Sequence, residues 1–319
     1  MDSLRHESEQ EPIANPVAAI DVGSHSAKLL IAHRGADGRP RPLHFELRPT
    51  GLGRSLEASG VITQQAWDRA RSAVTAFLEQ AREFGVADLR AVGTEALRRS
   101  PGAEGIVEAF REVSGHPIEI ISGAREAELS ARALDWDGVA GERVLASNVG
   151  GASTELMLVE RGRLAHQESI PIGAATLTEQ CQPDHGPQGI ALLLHRVSGA
   201  ISESRVLAEA PGCAFVGMGG TIAHLAAIDQ GLTHTEPEAV QGHVIPAERL
   251  VELVSRLARM NVEERIAKAH IPADRAPVIV AGGMIFVVLA LVGRFSEVRT
   301  SSRGLVHGLV LEMLEGRPR

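Results

Sequence analysis

The chain has 319 residues, 44% of them hydrophobic, and a net charge of −8. That is enough apolar material for a sizeable core and too much length for one ordinary domain, so two domains are expected. Seven Phe, two Trp and no Tyr in an acidic chain argue against a protein that stacks bases or tracks a nucleic-acid backbone.

Residues 1–16 are polar, with no basic stretch leading into an apolar one, and read as a disordered tail, not a signal peptide. VAAIDV (17–22) and AKLLIAH (27–33) read as two strands of a hairpin around a small-residue turn, and LHFELRP (43–49) as a third strand. From Thr63 the spacing of Trp67, Ala70, Val74, Phe77, Leu78 and Ala81 is that of an amphipathic helix, with Thr63 as N-cap and Gly85 as its stop. Strand and helix patterns then alternate: LRAV (89–92), a helix after Ser100, PIEII (117–121) and a helix from Arg125.

The turn-rich DWDGVAGE (135–142) is the expected domain boundary, dividing the chain into 17–138 and 139–319, with the final helix able to pack back on the first domain. Strands resume with RVLAS (143–147) and ELMLVE (155–160), followed by a helix over 190–207, the strand CAFVG (213–217) and further helices up to RGLVHGLVLEML (303–314). The apolar run 278–292 falls short of the roughly 20 residues a membrane-spanning helix needs, so it reads as a buried core helix. No membrane association is expected. Cys181 and Cys213 have no ligand spacing around them and read as buried residues or free thiols, which fits a reducing cytoplasm.

An internal repeat is the strongest signal. AIDVGSHSAKLLIA (19–32) aligns with ASNVGGASTELMLV (146–159), setting Asp21 on Asn148, Gly23 on Gly150 and Ser26 on Ser153. A third small-residue turn, GMGGT (217–221), stands between a strand and a helix. Glycine lets successive backbone N–H groups converge on one concavity, and nearby hydroxyls add donors, so such turns suit phosphate. One turn alone more often merely connects strands. The duplication makes Gly23, Ser24, His25, Ser26, Gly150, Gly151, Ser153, Thr154, Gly219, Gly220 and Thr221 candidate phosphate-binding residues, in the manner of the facing loops of an actin-like cleft.

IDVGSHS resembles the opening I-D-[LV]-G-S-N-S of the exopolyphosphatase and guanosine pentaphosphate phosphohydrolase (Ppx/GppA) family, and NVGGASTE resembles its D-I-G-G-G-S-T-E. In the same order, GTEALR (93–98) is similar to A-T-x-A-[LV]-R, IEIISGAREAEL (118–129) to I-E-x-I-S-G-x-E-E-A-x-L, PIGAATLTE (171–179) to P-[LI]-G-A-x-x-L-T-E, and GMGGT to G-T-G-G-T. RAPVIVAGG and SSRGLVHGL resemble the family's closing segments. The resemblance runs over about residues 17–308 and is to the short forms that lack an added helical region. It implies an α/β fold of two actin-like (ribonuclease H-like) domains with an interdomain cleft.

By this resemblance Glu126 matches the glutamate that activates water, although alone it would read as a solvated carboxylate at a helix start. Asp21, Asn148 and Glu155 match positions expected to hold Mg²⁺ or Mn²⁺; a turn cap for Asp21 and an exposed strand position for Glu155 are the plainer readings. Arg98 matches a residue suited to grip a terminal phosphate, whereas Arg99 has the look of an ordinary surface arginine. His25 stands where the family has Asn. With Lys28 it can add positive charge toward phosphate, or simply face solvent.

The main departure is Asn148 for the family Asp, which keeps hydrogen-bonding shape and loses the charge that holds a divalent cation. Ala152, Arg125 and Ser302 also depart from the pattern. The expected activity is release of orthophosphate from polyphosphate ends. The alternatives are hydrolysis of guanosine pentaphosphate or tetraphosphate, and a non-catalytic sensor of a phosphorylated ligand. A homodimer is the expected assembly.

Overall fold

The computed structural model describes residues 15–101, 103–136 and 143–316. The expected boundary at 138/139 and all but the last two residues of the expected tail lie outside them. The chain packs as two compact units: one runs up to Gly123 and takes up the residues from Leu309 on, and the other is Ala124–Gly308. Each contains a mixed sheet covered by helices.

In the first unit, β1 (Val17–Val22), β2 (Ser26–Arg34) and β3 (Pro40–Pro49) form the expected antiparallel meander. Helices α1 (Leu52–Ser59) and α2 (Gln64–Glu83) follow, then β4 (Asp88–Gly93), α3 (Glu95–Arg99), α4 (Ala103–Ser114) and β5 (Ile118–Ile120). The sheet order is β3-β2-β1-β4-β5, with β1 parallel to β4. Because β1 is central, all six of its residues are buried. The Thr63 hydroxyl accepts the Ala66 N–H at 3.4 Å and starts α2, and Gly85, at φ 64°, ends the segment. Its Ala70, Val74 and Phe77 pack with Ile20, Leu29 and Ile31 of the sheet.

The second unit contains α5 (Gly123–Arg132), which begins at the last residue of the first, then β6 (Arg143–Val149), β7 (Thr154–Glu160), β8 (Arg163–Ile170), α6 (Ala174–Cys181), α7 (Pro187–Ser202) and α8 (Arg205–Ala208). It continues through β9 (Ala214–Met218), α9 (Gly220–Asp229), α10 (Pro237–Val240), β10 (Val244–Pro246), α11 (Ala247–Ala258) and α12 (Val262–Ala269). Helix α13 (Ile279–Val292), β11 (Glu297–Ser301) and α14 (Leu305–Glu315) complete it, the last helix passing into the first unit at Leu309. The sheet order is β10-β11-β9-β6-β7-β8. The single helix expected over 190–207 is two helices. Ser204 interrupts it, its hydroxyl accepting the Leu207 N–H at 3.1 Å as the N-cap of α8.

Helix α13 is buried along most of its length, as its all-round apolar sequence requires. Among the described residues no helix is long and apolar enough to cross a membrane. Both cysteines are buried and free. Within the first unit, Arg90 pairs with Glu312 of α14 at 2.7 Å and the Arg34 guanidinium donates to the Leu314 carbonyl, fastening the helix end to the sheet.

Arg265 of α12 is fully buried and fully engaged. It donates to the Leu257 carbonyl at 2.9 Å, to the Ala276 carbonyl at 3.1 Å and to the Asp184 carboxylate at 2.5 Å. Removing the guanidinium takes a donor from two buried carbonyls and leaves the Asp184 carboxylate without this cation, a cost that packing does not offset. Arg265→Met is expected to lower stability by about 3 kcal/mol, read as a shift in the urea midpoint at unchanged slope.

Candidate active site

The first turn joins β1 to β2. The Gly23 N–H donates to the Ser26 carbonyl at 3.1 Å and closes it. Asp21, near the end of β1, is 4% exposed, and a Cβ on Gly23 would lie 3.7 Å from both of its carboxylate oxygens, so the carboxylate stands directly beside the turn. Its Oδ2 accepts from Lys28 Nζ at 3.1 Å, Lys28 being its partner across the strand pair. Its Oδ1 is buried with no hydrogen-bond partner. Lys28 therefore neutralises Asp21 and does not stand as a free surface cation, while His25 is exposed at the tip of the turn.

The second turn repeats the first bond for bond: the Gly150 N–H donates to the Ser153 carbonyl at 2.9 Å. Asn148 and Glu155 are direct partners across β6 and β7, so their side chains leave the sheet on one face. Glu155 Oε1 accepts from the Ser153 hydroxyl at 2.5 Å and the Ser169 hydroxyl at 3.3 Å. Thr154 is fully buried and its hydroxyl donates to the Ile172 carbonyl at 2.7 Å. The structure thus engages the Ser153 and Thr154 hydroxyls internally, whereas Gly150 and Gly151 remain half-buried at the turn.

The third turn runs from β9 through Gly219, at φ 87°, into α9, whose start carries no side-chain cap. Asn148 Oδ1 lies against it, 2.5 Å from where a Cβ on Gly219 would stand. Any larger residue at 219 would displace that amide, so the second and third turns meet at Asn148. Gly220 is exposed, and Thr221 packs against Gly282 of α13. The sequence reading did not single out Arg275, whose guanidinium carbon is 3.9 Å from the Cβ position of Gly220. The only signal for it was its place in RAPVIVAGG.

Glu126 lies in the first turn of α5. That helix packs through Ala127 and Ala131 on Ala146, Met157 and Met218. Strand alternation puts Asn148 on the same face as Ala146, so the helix bearing Glu126 covers the face from which Asn148 and Glu155 project. Arg98 donates to the Ile121 carbonyl at 2.7 Å, and its guanidinium reaches within 3.9 Å of the Cβ position of Gly123, the first residue of α5. Arg99 instead pairs with Glu95 of its own helix at 3.2 Å. Among the described residues no three His, Cys, Asp or Glu side chains gather as a metal site.

The first unit thus carries a turn with a carboxylate beside it, and the second a matching turn with a glutamate on the helix above it. The model of the Ppx/GppA phosphatase family matches residues 30–316. The chain belongs to this family. It is 31% identical to Exopolyphosphatase 2 of Mycobacterium tuberculosis, over 93% of this chain and 98% of that protein. It is 25% identical to a guanosine-5'-triphosphate,3'-diphosphate pyrophosphatase of Vibrio vulnificus, over 93% of this chain and 59% of that longer protein. The crystal structure of the Aquifex aeolicus Ppx/GppA family member superposes with a TM-score of 0.86 at 27% identity, covering 96% of this chain and 99% of that one. The two actin-like domains expected from the sequence are thereby established. As a Ppx/GppA member the chain is a phosphatase, a hydrolase of phosphoanhydrides.

His224 of α9 marks the electrostatics of the third turn. Its Nδ1 lies 2.6 Å from the Gly220 carbonyl. Burial is the largest effect and holds the imidazole below its ordinary range; the Gly220 carbonyl opposes it, and the Arg275 charge lowers it further against a smaller effect of Asp274. The folded state thus takes up this proton less readily than the unfolded chain. The associated stability is complete above the unfolded value near about 6.5 and is lost as pH falls from there through the folded value. His224→Gln is expected to flatten the fall in urea midpoint between about pH 7.5 and 5.5, measured against the parent across that range.

Proposed function

We propose that this phosphatase is an exopolyphosphatase, releasing orthophosphate from the ends of inorganic polyphosphate. The single observation that carries the reading is the duplicated turn, closed by the same bond in both units, with Glu126 on the helix over the second. The roughly 30% identity to a named exopolyphosphatase along its whole length supports polyphosphate over a guanosine polyphosphate. In the proposed reaction, Glu126 takes a proton from water as the water oxygen bonds to the terminal phosphorus. The bridging P–O bond breaks, its electron pair stays on the shortened chain, and orthophosphate departs. Within the second unit Arg275 would meet charge on the phosphoryl oxygens and the turn N–H groups would fix their positions, while Arg98 in the first unit is a further phosphate-binding candidate.

A divalent cation fits Asp21, whose buried Oδ1 lacks any partner. Mg²⁺ binds through one or two carboxylates and keeps water or substrate oxygens for the rest of its shell. When bound, it would neutralise charge on the phosphate oxygens. In the second unit Glu155 and Asn148 are the further candidate ligands, Asn148 only as a weak neutral oxygen. A second reading, a sensor that binds phosphate without turnover, is favoured by one observation: Lys28 neutralises Asp21 and Asn148 carries no charge at all.

Phosphate release from polyphosphate, pppGpp, ppGpp and ATP, with Mg²⁺ and Mn²⁺ compared, tests the proposal. Polyphosphate is expected to be the best substrate; binding without release from any of them would establish the sensor. Glu126→Gln is expected to cut turnover by roughly 10²–10⁴-fold and leave polyphosphate binding nearly intact. A variant within a few-fold of the parent would exclude Glu126 as the base. Asn148→Asp is expected to tighten metal binding and raise activity at limiting Mg²⁺, with less effect at saturation. Magnesium titrations of parent and variant followed by phosphate release separate that outcome from a site retuned to asparagine.

A further inference from the structure

The two turns share a feature that neither their own sequences nor the proposed chemistry explains: in each, successive carbonyls accept bonds from one later segment of the same unit. In the first unit the Gly53 N–H donates to the Ser24 carbonyl at 2.8 Å, and the Thr50 and Gly51 N–H groups donate to the His25 carbonyl at 3.0 and 3.2 Å. The Thr50 hydroxyl reaches the Gly23 carbonyl at 3.5 Å. In the second unit the Ala174 N–H donates to the Gly150 carbonyl at 2.9 Å, and the Ala175 and Thr176 N–H groups donate to the Gly151 carbonyl at 2.9 and 3.1 Å. Gly23 aligns with Gly150 and Ser24 with Gly151, so equivalent carbonyls are held in both.

A planar trans peptide points its C=O and the next N–H in opposite directions. Holding the carbonyls of residues 23, 24 and 25 on one side therefore aims the N–H groups of Ser24, His25 and Ser26 to the other, and holding those of Gly150 and Gly151 aims the N–H groups of Gly151 and Ala152 likewise. Convergent N–H groups of this kind are what an anionic oxygen needs. Each clamp requires a glycine where it touches the turn. A Cβ on Gly53 would stand 2.8 Å from the Ser24 Cβ, and one on Gly173 would stand 2.4 Å from the Gly151 carbonyl carbon and 2.5 Å from the Ala152 nitrogen. Both are closer than real Cβ contacts come. In the first unit the clamp is itself anchored, since Arg69 of α2 donates to the Thr50 carbonyl at 2.9 Å.

We propose that Gly53, acting through Ser24, is a positioning residue that turns the β1–β2 loop into a phosphate receptor, and that Gly173 does the same for the β6–β7 loop. The inference rests on the reading that these turns receive phosphate. It deepens that reading by assigning the orientation of the donors to residues outside the loops. The two sites differ in what blocks a side chain: at Gly173 it is backbone, which no substitution relieves, whereas at Gly53 it is chiefly the Ser24 side chain, which Ser24→Gly removes. With that Cβ gone, the next atoms, the Ser24 carbonyl oxygen at 3.4 Å and Cα at 3.5 Å, are at ordinary contact distance.

The test is a double-mutant cycle on the full chain with G53A, S24G and S24G/G53A. It is read by backbone amide NMR without ligand, by calorimetric titration with inorganic tripolyphosphate, and by thermal unfolding. G53A is expected to stay folded, to displace the Ser24, His25 and Ser26 amide signals, and to weaken tripolyphosphate binding by about tenfold or more. S24G/G53A is expected to recover the amide positions and the affinity of S24G alone to within about threefold. Unmoved turn amides in G53A, or a double variant in which the two losses simply add, would overturn the proposal. The ligand-free spectra decide the clamp independently of substrate, so a parent that binds no tripolyphosphate would count against the proposed function alone.

Discussion

The site depends on one constraint, the opposed directions of the two polar groups of a peptide. A loop can offer N–H groups to an anion only if something else accepts the company of its carbonyls, and buried carbonyls without donors are costly. In the second unit the donors are the first N–H groups of α6, which every helix must satisfy outside itself, and in the first they are Gly53 of α1 with Thr50 and Gly51 just before it. Two needs are met by one set of bonds. The need for glycine at 53 and 173 follows, because the helix start must approach the turn closely, and so does the repetition of the arrangement in both units.

Within each unit the fixed negative charge beside the turns is partly offset. Asp21 is matched by Lys28, Glu155 accepts two hydroxyls, and Asn148 is neutral, while Arg98 stands at the start of α5 and Arg275 beside Gly220. An anion bound as proposed would meet donors that are already oriented, so little reorganisation would oppose its binding. A divalent cation meets fewer fixed carboxylates and would depend on oxygens that the substrate brings. Asn148 has a further tie, since its side chain rests on Gly219 and its shape is constrained by the third turn as well as by any metal.

What the sequence made legible were features governed by neighbours along the chain. The β1–β2 hairpin, the N-cap at Thr63, the buried α13 and the repeated turns all follow from local spacing and small-residue chemistry, and each is present. What stayed hidden depends on distant partners. Strand β8 is a polar edge strand with no clean alternation, so its sequence looks like a loop until β7 pairs with it. The break at Ser204 is a serine among otherwise helical residues, visible only once its hydroxyl caps Leu207. The segment 50–53 reads as a plain Gly-containing turn, although three of its N–H groups shape a loop some twenty-five residues earlier. Arg275 lies far from the GMGGT turn in sequence and reaches it only through the fold.

The strand order of the second sheet bears on how the protein is made. Strand β11 lies between β10 and β9, although it follows them both by way of the long apolar α13. As the chain leaves the ribosome, β9 must wait with one edge unpaired until residues 297–301 emerge, and α13 appears before the sheet that buries it is complete. Non-local pairing of this kind is slow, and the waiting intermediate exposes both a strand edge and an oily helix. The nascent chain's vulnerable interval is set by the position of one short strand, not by the stability of the finished fold.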